Sequence, residues 1–341
     1  MPFYFVFIIL LIVSIPARAA VILQYHHIGS DSPAITSTTI EALDQHFEYL
    51  ASSGLKIVPL SEIVNEPSRE HDRRVAITFD DAYDNIYQHA VPRLKSRGWP
   101  FTLFVATEYI DRRGYMTWKQ LREVEASGGT VANHTHSHFH LVRHQDGESM
   151  RSWRAKIKKD IRHAQALLER HLDNPAKYLA YPYGEYDADI LKLISSMGYT
   201  GFGQQSGAVG ADSLSSVLPR YPLSGAYEDI ETFKTKVQTL ALPVLVPERT
   251  PLVTTNPPTL ELKFTQTEGL AFDQLTCYGP GGKTMLKELG PGHFEAINQT
   301  EIPVGRSRYN CTMPSGTPGR FYWFSQLWIL KEADGSWYPE A

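Results

Sequence analysis

Ala76-Ile77-Thr78-Phe79-Asp80-Asp81-Ala82-Tyr83 decides how this chain is read, because an apolar run of strand length ends there in two adjacent carboxylates. A buried strand accounts for residues 75–79. It does not account for two like charges side by side, which repel unless something cationic sits with them. Further along, Asn133-His134-Thr135-His136-Ser137-His138-Phe139-His140-Leu141 supplies imidazoles. Imidazole with carboxylate is a normal donor set for a divalent metal such as zinc. We read the two stretches as two walls of one metal site. His134 and His138 are four apart, as are His136 and His140, so on a helical turn either pair would share a face. Spacing does not choose between them, and a polar, partly exposed loop of histidines is the alternative.

Working outward, residues 21–25, 55–58, 101–105, 130–133, 178–181 and 199–202 read as strands, and residues 36–53, 90–97, 118–126, 187–197 and the run from 150 read as helices. The alternation amounts to roughly six or seven βα units, which predicts an α/β fold: a distorted or partial (β/α) barrel with mainly parallel strands. His26-His27 ends the first strand. Asp80-Asp81 stands at the C-terminal end of its own, where such sheets place their chemistry. Prolines and threonines cluster between 242 and 258, and beyond them the helical stripes stop. Residues 260–267, 274–278, 307–312 and 321–330 read instead as short strands between Gly/Pro turns, predicting a small β-sandwich-like unit. Trp323 and Trp328 there are either core residues or sugar platforms.

The 341 residues carry a formal charge of −4 and no long Lys/Arg block, so the electrostatic footprint of a nucleic-acid binder is missing. At the N-terminus, an apolar run over 3–15 is followed by Pro16 and Ala17-Arg18-Ala19, the pattern of a secretory signal with its cleavage site. No Lys or Arg precedes the run, so an uncleaved anchor is the alternative. The run is short for a bilayer span. The reading is therefore a secreted or periplasmic protein with no transmembrane span after signal cleavage. Cys277 and Cys311 are the only cysteines and would close one disulfide in an oxidising compartment. The expected organisation is a signal peptide (1–19), a catalytic domain (20–245), a linker (246–258) and a β-sandwich accessory domain (259–341).

Thr78-Phe79-Asp80-Asp81 together with Asn133-His134-Thr135-x-Ser137-His138-x-x-Leu141 resembles the first two motifs of the NodB-homology polysaccharide deacetylases, carbohydrate esterase family four. The resemblance implies Asp80 as general base and Asp81, His134 and His138 as metal ligands, leaving His136 and His140 outside. Gln24-Tyr25-His26-His27-Ile28 resembles the N-terminal motif of the branch that deacetylates poly-β-1,6-N-acetylglucosamine, which implies His26 as catalytic acid. Leu179-Ala180-Tyr181-Pro182-Tyr183-Gly184 resembles that branch's third motif. Two positions depart from the wider family: Ala180 stands where an arginine usually orients the catalytic Asp, and Ala82 where a glycine usually follows the Asp pair. Arg220 is a candidate substitute from another strand, although arginines in general lie on the surface and that reading is favoured here.

The implied reaction is metal-assisted hydrolysis of an acetamide. Asp80 takes a proton from water, the backbone N–H of Tyr183 helps hold the oxyanion, and His26 as imidazolium protonates the departing amine. Zinc suits two imidazoles and a carboxylate, and cobalt, nickel or iron fit the same ligands. The implied partner is an N-acetylated polysaccharide, with a cell-envelope or polysaccharide contact through the C-terminal domain. Chitin oligosaccharide, peptidoglycan and acetylated xylan are the other substrates in view. A non-catalytic matrix-binding protein on the same fold is the other class of reading, against which four intact site residues weigh.

Overall fold

The structure, a computed structural model, describes residues 19–30, 32–67, 73–145, 147–246 and 250–339. The expected signal peptide, apart from Ala19, lies outside the described residues, as do 247–249 of the expected linker.

Eight strands form one sheet: β1 (Val21–Tyr25), β2 (Lys56–Ile57), β3 (Arg74–Phe79), β4 (Phe101–Val105), β5 (Gly129–Asn133), β6 (Ala176–Ala180), β7 (Thr200–Phe202) and β8 (Tyr221–Pro222). The order is β8-β1-β3-β4-β5-β6-β7, with β2 beside the first half of β3 and β4 beside the second. Every pairing is parallel. The two edges approach each other through residues 218–222. Leu218 bridges Phe202 in parallel, and Tyr221–Pro222 pair with Leu23 and Gln24 of β1. Gly201 permits this approach, since a Cβ there would lie 2.1 Å from the Ser216 carbonyl oxygen. The expected partial barrel is therefore present.

Period-two alternation divides the strand side chains. Val21, Leu23, Val75, Ile77, Leu103 and Val131 pack in the larger core with the surrounding helices. Ile22, Ala76, Phe104, Ala132, Ala180 and Phe202 cluster separately, inside the sheet's curve. Continuing the inner row past the strand ends gives His26, Asp80 and His134, so one parity carries apolar filling at one end and candidate chemistry at the other. All three lie at C-terminal strand ends, and parallel strands bring those ends to one face.

The helices are α1 (Ile40–Ser52), α2 (Leu60–Asn65), α3 (Val91–Arg97), α4 (Trp118–Ala126), α5 (Met150–His171), α6 (Ala188–Ser196) and α7 (Ile230–Val237). Side-chain caps fix several starts: Thr39, Thr117, Ser149, Asp187 and Asp229 each accept a first-turn N–H. The helix expected from residue 36 begins instead at 40, because Thr39 caps it and Ser37–Thr38 pair with His27–Ile28. The short helices α2 and α7 were not expected. Among the described residues no helix is long and apolar enough to cross a membrane.

The C-terminal strands are β9 (Leu240–Ala241), β10 (Val244–Leu245), β11 (Thr259–Phe264), β12 (Thr276–Gly279), β13 (Gly282–Lys283), β14 (Met285–Gly290), β15 (His293–Ile297), β16 (Gly305–Pro314) and β17 (Phe321–Leu330). They form two sheets, β9-β17-β16-β12-β13 and β10-β11-β15-β14. Leu260, Leu262, Phe294 and Ala296 of one share a core with Tyr309, Cys311, Met313 and Trp328 of the other. Cys277 and Cys311 face each other across β12 and β16 and are disulfide-bonded. Trp328 is only 5% exposed, which removes it as a sugar platform, and Trp323 packs edge-on to Tyr221. The opposite face of β17 presents Leu327 and Ile329, which with Tyr338 pack against Leu141, Val142, Trp153 and Ile157 of the barrel unit.

Candidate active site

Asp80 and Asp81 diverge because the backbone turns sharply after β3: Asp81 has φ 72° and Ala82 φ 62°. Left-handed backbone is costly for residues with a Cβ. At Ala82 the fully buried methyl offsets part of that cost, which is how alanine is tolerated there.

Asp80 is fully buried and turns inward. Arg220 grips it with two nitrogens, each 2.7 Å from a carboxylate oxygen, and Gln24 donates from 2.6 Å. The guanidinium is itself fully buried and is held further by the Gly203 carbonyl and Thr78. Arg220 is thus no surface residue, and the sequence-based expectation is corrected: it reaches Asp80 from the seam beside β8. Burial would raise the Asp80 carboxyl pKa, but the Arg220 charge, then His134 and the Arg220 hydrogen bonds, hold it below the ordinary carboxylate value.

Asp81 faces the histidines. Its Oδ1 lies 3.3 Å from Nε2 of both His134 and His138, and ligand atoms from the three residues all lie within 4.8 Å of one another. His134 and His138 are not on a helical turn. They follow β5 in a loop bent by positive φ at Thr135 (68°) and His138 (54°), and it is these bends that bring the two rings together. The Nδ1 of His134 is 2.8 Å from the Ala180 carbonyl oxygen and must donate to it, which fixes the ring with Nε2 facing Asp81, the nitrogen that would ligate an ion once it gives up its proton. Two imidazoles and a carboxylate converging in this way fit a zinc-type ion with a position left for water. Burial would raise Asp81, but the His134 hydrogen bond and the charges of His134 and His138 drive it far below its usual value. His138 is lowered to about 4, first by burial and then by the charge of His134.

His26 places Nε2 3.8 Å from Asp80 Oδ2, and its buried Nδ1 has no protein partner among the described residues. His27 instead stacks on Tyr83. His136 turns to Thr107 and His163, away from the triangle. Tyr183, at φ 59°, lies with its ring centroid 4.7 Å from that of His138. Sequence reasoning missed Glu185, which is fully buried and 2.7 Å from Nδ1 of His140. Burial would raise Glu185, but hydrogen bonds from His140 and Tyr338 hold it below its ordinary value. Its place two residues after Tyr183 was the available signal. A cavity of about 400 Å³ lies elsewhere, between the 205–219 connection and β17.

Residues 68–202 match the family model described as polysaccharide deacetylase. That stretch is similar to a polysaccharide deacetylase domain. It is similar to the poly-beta-1,6-N-acetyl-D-glucosamine N-deacetylase of Staphylococcus aureus, 27% identical over 197 residues that make up 55% of this chain and 68% of that protein. Among solved structures, the Streptococcus pyogenes deacetylase PplD in complex with acetate has a TM-score of 0.57 at 21% identity, covering 65% of this chain and 99% of that one. IcaB from Ammonifex degensii has a TM-score of 0.53 at 23% identity, covering 62% and 98%. These structures share the deacetylase's fold. These likenesses support a hydrolase acting on amide bonds of acetylated polysaccharide.

Proposed function

We propose that this deacetylase is a secreted, metal-dependent enzyme that removes N-acetyl groups from a poly-β-1,6-N-acetylglucosamine-like polymer, releasing acetate and free amine. The observation that carries the reading is the Asp81, His134 and His138 triangle with the Arg220-held Asp80 beside it. When bound, a divalent ion, zinc by the donor set, supplies Lewis-acid polarisation and an acidified water. Asp80 accepts the proton of the attacking water, since Arg220 and Gln24 keep its carboxyl ionised. The backbone N–H of Tyr183 donates to the acetyl oxygen as it gains charge. His26 delivers a proton to the departing nitrogen, which would otherwise leave as a very poor anionic leaving group.

The choice of polymer rests on the name of the Staphylococcus aureus relative and on His26 at the tip of β1. Secretion is supported by the apolar N-terminal run and by the disulfide. We divide the chain into signal peptide (1–19), deacetylase domain (20–245), linker (246–258) and accessory β domain (259–341), and assign the accessory domain a contact with polysaccharide or cell envelope.

Acetate release from the β-1,6 polymer, compared with chitin oligosaccharides, peptidoglycan and acetylated xylan, tests the reading alongside metal analysis. Release from the β-1,6 polymer is expected, lost on chelation and restored by zinc. Asp80→Asn should keep the metal and lose about 10²–10⁴-fold in rate, whereas Asp81→Ala and His138→Ala should lose the metal itself. Release from xylan alone would overturn the amide reading, and full activity of metal-free protein would overturn the ion.

A further inference from the structure

Tyr183 occupies left-handed backbone, φ 59° and ψ 6°, where a residue with a side chain stays only if its surroundings hold it. Its ring is held on one face by His140, stacked at 3.7 Å and 6° between planes, and the Arg306 guanidinium lies 5.4 Å from its centroid. Both holders converge on Glu185. His140 Nδ1 is 2.7 Å from one carboxylate oxygen, Arg306 is 3.1 Å from the other, and the Tyr338 hydroxyl donates to that same second oxygen.

The origin of these partners matters. His140 belongs to the barrel, but Arg306 is on β16 of the C-terminal sheets and Tyr338 lies beyond β17. A second thread runs alongside: Arg308, two residues on, donates to the Gln204 carbonyl, and the Gln204 side chain packs against Gly184. The C-terminal sheets already meet the barrel through the apolar face of Leu327 and Ile329 and through the pairing of β9 with β17. A fully buried carboxylate adds nothing to that docking and is costly unless paired. Among the described residues, two of the three side chains that donate to it, Arg306 and Tyr338, arrive only when the C-terminal sheets are seated.

We infer that the C-terminal β unit is a positioning device for the active site, in which Arg306 and Tyr338 clamp Glu185 and, through His140, fix the Tyr183 loop. Glu185, Arg306 and Tyr338 are positioning residues rather than catalytic ones. The inference rests on the reading of Tyr183 as oxyanion donor, and it explains why a deacetylase would carry these sheets against its barrel.

The test uses the full chain with Tyr338→Phe, Arg306→Met and Arg306→Lys, the first removing a single hydroxyl so that folding is spared. Hydrogen exchange is followed in peptides spanning 181–187, where the Gly184 and Glu185 amides donate to Tyr181 and Pro182. Exchange in Arg306→Met and Tyr338→Phe is expected to speed up about tenfold. The kcat for acetate release should fall about tenfold or more, as for a small misplacement of a catalytic group, with KM and metal content unchanged and partial recovery in Arg306→Lys. Unchanged exchange, unchanged kcat, or a rise in KM alone would overturn the clamp. A wild type inactive on every acetylated polymer would instead defeat the proposed function, while the exchange measurement would still decide whether the clamp exists.

Discussion

Asp80 and Arg220 form a bidentate ion pair with both side chains fully buried. Such a pair is weak evidence of stability as a whole, but removing one partner strands the other, at a cost of about 3–5 kcal/mol. Arg220→Met should therefore destabilise by roughly that amount in urea unfolding at pH 7, and Arg220→Met with Asp80→Asn should recover much of it. A double variant no more stable than Arg220→Met would show that the charge is not the cause. The sign of the pH effect follows from Asp80 lying below its unfolded value, about 3.9. The pair's contribution is complete above that pH and fades as pH falls through the folded value. At this scale the ligands were legible, because adjacent carboxylates and spaced histidines are chemistry that packing does not explain. Arg220 was not, since nothing in Leu218-Pro219-Arg220-Tyr221 states that a sheet edge closes there and turns the side chain inward.

Elements were legible where burial imposed a clean period. Residues 101–105 and 118–126 are the observed β4 and α4. The strand β4 is buried at every position, and the helix carries both a capping box and an apolar stripe. The signal faded in β14, where Met285 is 56% exposed and Leu289 43%, so apolar residues stand on the outward side beside Lys287 and the alternation is masked. The i, i+4 spacing of His134 and His138 invited a helical turn, whereas two left-handed residues produce the same meeting of rings. In the C-terminal sheets the one covalent tie is between β12 and β16, with Cys277 and Cys311 separated by 34 residues and both buried. Loop-closure entropy for that length is about 3–4 kcal/mol. Cys277→Ser with Cys311→Ser should therefore lower thermal stability by several degrees while leaving bound metal unchanged, because neither sulfur approaches the histidines. Loss of the metal at temperatures where the variant is folded would contradict that separation.

At the scale of the whole molecule, the proline-rich stretch near 242–258 reads as a boundary, yet the packing crosses it. Strand β9 (residues 240–241) runs parallel to β17, and Leu327, Ile329 and Tyr338 complete a core with Leu141, Val142, Trp153 and Ile157. Burial of each such large apolar side chain is worth about 1.5–3 kcal/mol, so losing three of them removes an amount comparable to the 5–15 kcal/mol that stabilises a typical domain. A chain ending at residue 246 should therefore fail to reach the native barrel. We expect it to retain helical far-UV circular dichroism, lose its near-UV signal and bind a hydrophobic dye. Near-UV structure and a melting temperature equal to those of the full chain would show that the barrel stands alone, and that the shared core is only a docking surface.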